Sequence, residues 1–308
     1  MTHRKAVALM ILVTLLWSIA GVVTRQLDSA RAFEITFWRS GFNALALAGV
    51  LSWLRGPRLW VDLRHAPALL WWSGLCWAVM YTAFMVAITL TTVAAVLVTM
   101  AIGPLLTALF ARFFLHHRLP ARTWTAITVA GLGIGWMFGH KAAEGGAALG
   151  GVLIALAVPA AGAINWTLLQ HVGNRARRAD KADIDMLPAV FIGAVISALL
   201  TLPLAWPLQA SPRDISLLAF LGVFQLAIPC LLAVRLSRVL PAPEIALLCL
   251  LEVLFGVSWV WLGAGEAPSP ATLIGGALVL GALITNEALA LAAGRGRSID
   301  LLAKELRP

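Results

Sequence analysis

Charge is scarce in this sequence. Asp, Glu, Lys and Arg make up 12% of the 308 residues, about half the ~25% of a soluble domain. Hydrophobic residues fill 61% of the chain and the mean hydropathy is +0.90, more apolar surface than one soluble core of this length can hide. That excludes a cytosolic enzyme, a secreted disulfide scaffold and a disordered chain, and leaves a protein dissolved in lipid. Cysteine is scarce as well. Cys76, Cys230 and Cys249 lie far apart in apolar runs without a CxxC pair, so each reads as a small buried hydrophobe, and no disulfide or metal site is expected. Catalytic motifs are also missing. There is no HExxH, P-loop or GxSxG, no His lies mid-span, and Gly256-Val257-Ser258-Trp259 lacks the last glycine of an intramembrane serine protease string. No cofactor is expected, and an enzyme is the weaker reading.

What the sequence does have is long apolar runs. A helix needs about 20 apolar residues to cross the hydrocarbon core. Ten runs qualify: Ala6–Thr24, Phe33–Leu54, Ala66–Leu90, Thr92–Phe114, Ala121–Phe138, Leu149–Gln170, Met186–Trp206, Ile215–Leu236, Pro241–Leu262 and Ala271–Ala293. They are numbered here as spans 1 to 10. The loops between them leave no room for a soluble domain. His3-Arg4-Lys5 before span 1 mimics the start of a signal peptide. The run that follows is longer than the ~7–15 residues of such a segment, so it is expected to stay as the first span.

The basic excess, a net +9, is a topology signal. Of the 23 Lys and Arg residues, only Arg25, Arg31, Lys141 and Arg213 fall in loops on one side, and Arg39 lies inside span 2. All the others fall on the side of the chain ends. By the positive-inside rule both termini are cytoplasmic. Spread in small groups, this charge suits anionic lipid headgroups and gives no nucleic-acid footprint.

Five spans per half is an odd number, so two similar halves must be inverted in the membrane. Gly103 to Glu252 and His117 to Glu266 are each 149 residues apart, near half the chain. The expected fold is therefore an all-α membrane protein of two inverted five-helix repeats, residues 1–145 and 146–308. Such halves rock about a site near the bilayer midplane.

Polar residues inside spans are functional candidates by default. Glu252, mid-span 9, reads either as a carboxylate that titrates or binds a substrate amine, or as a tie to another helix. Arg39 with Asn43 one turn deeper reads as a carboxylate anchor or as a snorkelling side chain. Asn165, Trp166 and Gln225 offer hydrogen bonds or a stacking face, or act as helix glue. Tyr81, the sole tyrosine, offers a hydroxyl to a cavity or belongs to the interfacial belt. Trp17 lies mid-span, whereas Trp53, Trp60, Trp71, Trp72, Trp124, Trp206, Trp259 and Trp261 lie near interfaces. The candidate substrate-binding set is Trp17, Arg39, Asn43, Tyr81, Asn165, Trp166, Gln225 and Glu252.

Smaller signals concern packing. Gly131, Gly135 and Gly139 in span 5, and Ala277 and Gly281 in span 10, repeat at small-xxx-small spacing. These helices are expected to pack on each other or to form a homodimer contact. Pro104, Pro159, Pro203 and Pro229 are candidate kinks. Glu244 and Arg235 read as a local ion pair, and Asn286 as facing headgroups.

Several of these segments resemble the drug/metabolite transporter superfamily in its ten-span EamA-type branch. The residues that carry the resemblance are Leu16-Trp17-Ser18, Arg39, and the stretch from Gly103-Pro104-Leu105 through Phe114 to Leu119-Pro120. The loop His116-His117-Arg118-Leu119 lacks the family's acid, and Glu252-Val253 stands where Glu-Pro is common. The resemblance implies an inner-membrane secondary transporter of small molecules. Its Leu-Trp-Ser and many tryptophans are similar to the bacterial exporters of aromatic amino acids, which implies amino acid cargo. Cationic drug-like cargo with Glu252 as counter-charge, a channel, and an intramembrane enzyme are the alternatives.

Overall fold

A computed structural model of the chain describes residues 2–115, 121–144, 146–179, 184–240 and 242–305, and among them every regular element is a helix. The loop read as His116 to Pro120 lies outside the described residues. Span 1 becomes α1 (His3–Ser18) and α2 (Ala20–Thr24). Just before the break, the hydroxyls of Thr14 and Ser18 return to the carbonyls of Ile11 and Leu15 at 2.8 and 2.7 Å, a bond that competes with the helix ladder. Span 2 is α3 (Ala32–Arg55), closed by Gly56 at φ 65°, where a side chain would be strained. The short α4 (Arg58–Arg64) and then α5 (Ala68–Leu90), span 3, follow. A tight corner, capped where Thr92 Oγ1 accepts the N–H of Ala95 at 3.3 Å, leads into α6 (Val93–Met100) and α7 (Gly103–Leu115), the two pieces of span 4.

The second half begins after α8 (Ala121–Glu144), span 5. Span 6 is α9 (Gly146–Ala155) and α10 (Ala157–Ala179), and span 7 is α11 (Leu187–Ala205). Span 8 is α12 (Pro212–Phe220), a π-helical segment Leu221–Ala227 and α13 (Ile228–Leu236). Span 9 is the unbroken α14 (Ala242–Ala264), and span 10 lies within α15 (Pro270–Glu305). Seven described helical stretches are long and apolar enough to cross a membrane: His3–Thr24, Ala68–Leu90, Val93–Phe110, Leu149–Gly173, Leu187–Ala205, Pro212–Leu236 and Glu244–Ala264.

Prolines explain three of the interruptions. A proline has no N–H for the carbonyl four residues back and its ring crowds that carbonyl. Pro104 thus frees Met100, Pro159 frees Ala155 and Pro229 frees Gln225. The chain answers with turns at 101–102 and at Leu156 and with the wide turns of Leu221–Ala227. Pro203 does not act this way, because α11 runs past it to Ala205.

Polar contacts mark the two ends of the bundle. At the end bearing the N-terminus, His3 pairs with Glu244 at 2.9 Å, and Arg55 and Arg238 both pair with Asp185. Glu244 therefore reaches α1 rather than Arg235. At the far end the loop after α2 wraps the Asp214 carboxylate, which accepts the N–H groups of Asp28, Ser29 and Ala30 at 3.0 to 3.1 Å. Glu34 accepts the N–H groups of Gln209 and Ala210, both at 2.7 Å. Arg25 pairs with Glu266 at 2.6 Å and donates to the Thr91 carbonyl, while Glu266 accepts the N–H of Val93 at 2.8 Å.

Two apolar cores are stacked between these ends. One gathers Met10, Leu47, Leu51, Tyr81, Leu169 and Leu236 toward the N-terminal end. The other gathers Ala20, Phe84, Val96, Leu221, Val260 and Val279 toward the far end. Their seam falls at the level of residues 17–20, 81–84 and 221–226.

α8 and α15 pack closely on each other, as do α11 with α3 and α5. The glycines at the first contact are not the anticipated ones. A Cβ on Gly133 would lie 2.9 Å from the Gly275 carbonyl, and one on Gly275 would lie 2.8 Å from the Gly133 carbonyl. Gly131, Gly135, Gly139 and Gly281 face open space, and Ala277 is exposed. Asn286 is buried and accepts from Thr123 at 3.1 Å, so it joins these helices rather than facing headgroups. The eight tryptophans placed near interfaces are all exposed, from 42% at Trp259 to 83% at Trp53.

Candidate functional site

A cavity of about 140 Å³ lies at the seam between the two cores. A single water needs only ~10–15 Å³ measured this way, so the space suits a small molecule. The breaks in the helices converge on it. Met100, Ala101, Gly103 and Pro104 line it from span 4, Pro159 from span 6, and Gln225 and Leu226 from the π-helical segment. Irregular backbone at membrane depth is tolerated where protein or a water-filled space satisfies it, and two of the residues whose carbonyls are freed, Met100 and Gln225, line this cavity. Its lining on α14 runs from Ala246 to Val253, the half of that helix nearer the N-terminal end of the bundle. The far end is crossed by the Asp214, Glu34 and Arg25–Glu266 clusters.

Six of the eight candidate residues line the cavity: Trp17, Arg39, Tyr81, Trp166, Gln225 and Glu252. Arg39 is only 1% exposed, so it neither snorkels nor pairs at the surface. Its Nη1 donates to Gln225 Oε1 at 3.2 Å, its Nη2 reaches the Tyr81 carbonyl at 3.5 Å, and its guanidinium stands 5.8 Å from the centre of the Phe84 ring. Gln225 in turn donates to the Trp17 carbonyl at 3.2 Å. One chain of polar contacts thus links spans 1, 2, 3 and 8. Glu252 is 9% exposed and has no hydrogen-bond or ion-pair partner among the described residues. A carboxylate held this way is poised for a cation or a proton.

The remaining two candidates sit behind the lining. Asn165 is fully buried and its Oδ1 accepts from Ser73 at 2.6 Å, which ties α10 to α5. Asn43 is fully buried too, and neither of its amide atoms has a partner. Other lining residues carried no polar signal in the sequence: Trp77, Met80, Phe84, Met100, Cys230 and Cys249. Trp77 meets Trp166 edge-on at 5.9 Å and Tyr81 at 5.6 Å, building an aromatic wall. Methionines add an adaptable apolar surface. Among the described residues no cluster of three or more His, Cys, Asp or Glu side chains could hold a metal ion.

The sequence model of the EamA-like transporter family matches residues 4–139 and, separately, 149–286. The pseudopaline exporter CntI of Pseudomonas aeruginosa, found in two strains, is 24% identical over 288 residues, covering 91% of this chain and 95% of the relative. A solved crystal structure superposes with a TM-score of 0.62 at 17% identity, covering 94% of this chain and 99% of the other. That last likeness speaks for the fold.

Proposed function

The chain belongs to the EamA-like transporter family and is a multi-pass transporter of the inner membrane, and on that premise we propose that it exports small amphipathic metabolites, amino acids including aromatic ones, by alternating access. One observation carries this reading. The cavity lies at mid-depth between two cores and takes side chains from both family-matched halves, with Arg39 and Tyr81 from one and Trp166, Gln225 and Glu252 from the other. Buried charge beside an aromatic wall suits a ligand that is part polar and part flat. Ten spans with both termini cytoplasmic complete the proposal. Helices stand at all ten positions among the described residues, and the bias of Lys and Arg supports the orientation. The cavity then extends toward the cytoplasm, the side from which an exporter loads.

The unpartnered Glu252 favours a second reading, export of cationic drug-like compounds. Flux of labelled phenylalanine, tryptophan and threonine into proteoliposomes, with unlabelled competitors and an imposed pH gradient, separates the two. Saturable, competable amino acid flux supports the first. Its absence with folded protein, together with cation flux that Glu252→Gln abolishes, supports the second.

A further inference from the structure

The cavity's unspent polar groups differ from wall to wall. On the wall built by α3 and α5, Arg39 Nε, Trp77 Nε1 and Tyr81 Oη are all buried without a hydrogen-bond partner. The first two are donors only, and the phenol donates readily. Their residues are no more than 3% exposed, yet all three line the cavity. The other wall is α14, which packs mainly against α1 and α6. It offers Glu252, an acceptor with no partner among the described residues. No ion pair joins Arg39 to Glu252, and Arg39 spends Nη1 and Nη2 on neutral acceptors, so neither charge has a counter-charge at ion-pair distance. A buried donor or carboxylate without a partner carries its full desolvation penalty.

The geometry points to a bipolar ligand: an anionic head taken by Arg39, Trp77 and Tyr81, and a cationic head taken by Glu252. This deepens the amino acid reading above and rests on it. The donor wall belongs to the first family-matched half and Glu252 to the second. A ligand carrying both charges therefore bridges the halves and draws α14 toward α3 and α5. A ligand carrying one charge satisfies one wall and leaves the other charge buried and unpaired on closure. Since a ligand shifts a conformational equilibrium only by its differential affinity for the two states, the single-charged ligand occupies the open cavity without being carried. Trp17, Phe84 and Trp166 receive the apolar body between the two heads.

Counterflow in proteoliposomes tests this. Vesicles are preloaded with phenylalanine, with phenethylamine, which has the amine alone, or with 3-phenylpropionate, which has the carboxylate alone. Entry of labelled phenylalanine is then followed. Phenylalanine preloading is expected to accelerate entry about tenfold over either analogue, while both analogues added outside inhibit. In Glu252→Gln the advantage of phenylalanine over phenylpropionate as an inhibitor is expected to vanish. In Tyr81→Phe, which keeps the ring, and in Trp77→Phe, which keeps a smaller aromatic one, the advantage over phenethylamine is expected to shrink. Ligand-induced shifts in melting temperature read the same preferences without flux. Counterflow driven equally by phenethylamine or phenylpropionate overturns the bipolar assignment and leaves the amino acid reading intact. Failure of phenylalanine both to exchange and to raise the melting temperature overturns both.

Discussion

Arg39 and Gln225 meet across the two halves of the chain, Nη1 donating to Oε1 at 3.2 Å, with both side chains buried. The bond holds a cation that lipid-depth burial would otherwise penalise, and it fixes the wide turns of span 8 against span 2. Gln225→Leu removes the acceptor and leaves the guanidinium short of a partner. Stability is expected to fall by about 1–3 kcal/mol, read by thermal unfolding in detergent. Gln225→Glu, which supplies a charged acceptor, is expected to restore the melting temperature.

Neighbours in sequence are expected to behave differently. Asn165 bonds to Ser73 behind the cavity, whereas Trp166 lines it. Asn165→Ala should lower stability by about 1–2 kcal/mol and leave the half-saturating substrate concentration unchanged. Trp166→Ala should raise that concentration about tenfold through loss of an aromatic face. Transport kinetics and melting curves on the same preparations check both.

The glycines of α8 give a paired test. At Gly133 a Cβ meets the backbone of α15, and at Gly135 it meets open space. Gly133→Ala should cost about 1–3 kcal/mol, as overpacking does. Gly135→Ala should be neutral or stabilising by up to about 1 kcal/mol. A loss at Gly135→Ala that deepens on dilution would instead show that the outward small-residue stripe packs against a second copy.

At the far end, Glu266 takes Arg25 and the N–H of Val93 together. Glu266→Gln weakens this tie and should raise the population open at that end severalfold, a shift on the order of 1 kcal/mol. Cys249 lines the cavity and reports it. In a background with Cys76→Ala and Cys230→Ala, an impermeant thiol reagent applied from the far side should label Cys249 faster in Glu266→Gln. Unchanged labelling would mean that this pair does not hold the far end shut.

Much of the architecture could be read from the sequence because lipid leaves few options. Apolar length marks the helices, and the prolines at 104, 159 and 229 mark where they give way. Arg39 and Glu252 stood out because a charge in an apolar run needs a reason. Trp77, Met80 and Phe84 did not, although with Tyr81 they repeat at helical spacing. α5 is apolar around most of its circumference, so a cavity-facing methionine looks like a lipid-facing one. Amides carried the opposite ambiguity. Asn43, Asn165 and Gln225 read alike in sequence, and only the rotation of each helix decides which reaches the cavity. The same rotation moved the close contact of α8 from the fourfold-spaced glycines to Gly133.

The halves match one family, yet they do not bend alike. Span 4 is cut at 101–102, while α14, 149 residues on, runs unbroken and carries Glu252. Span 8 widens into π turns, while α5 stays regular. A pair of identical halves could exchange shapes, and a carrier built from them would spend equal time facing each way. This pair cannot: the interrupted helices and the unbroken one that carries Glu252 do not stand at matching places in the two halves. Under the alternating access proposed above, the two facing states therefore differ in energy before any ion or substrate binds, and the empty protein has a preferred side on which to wait.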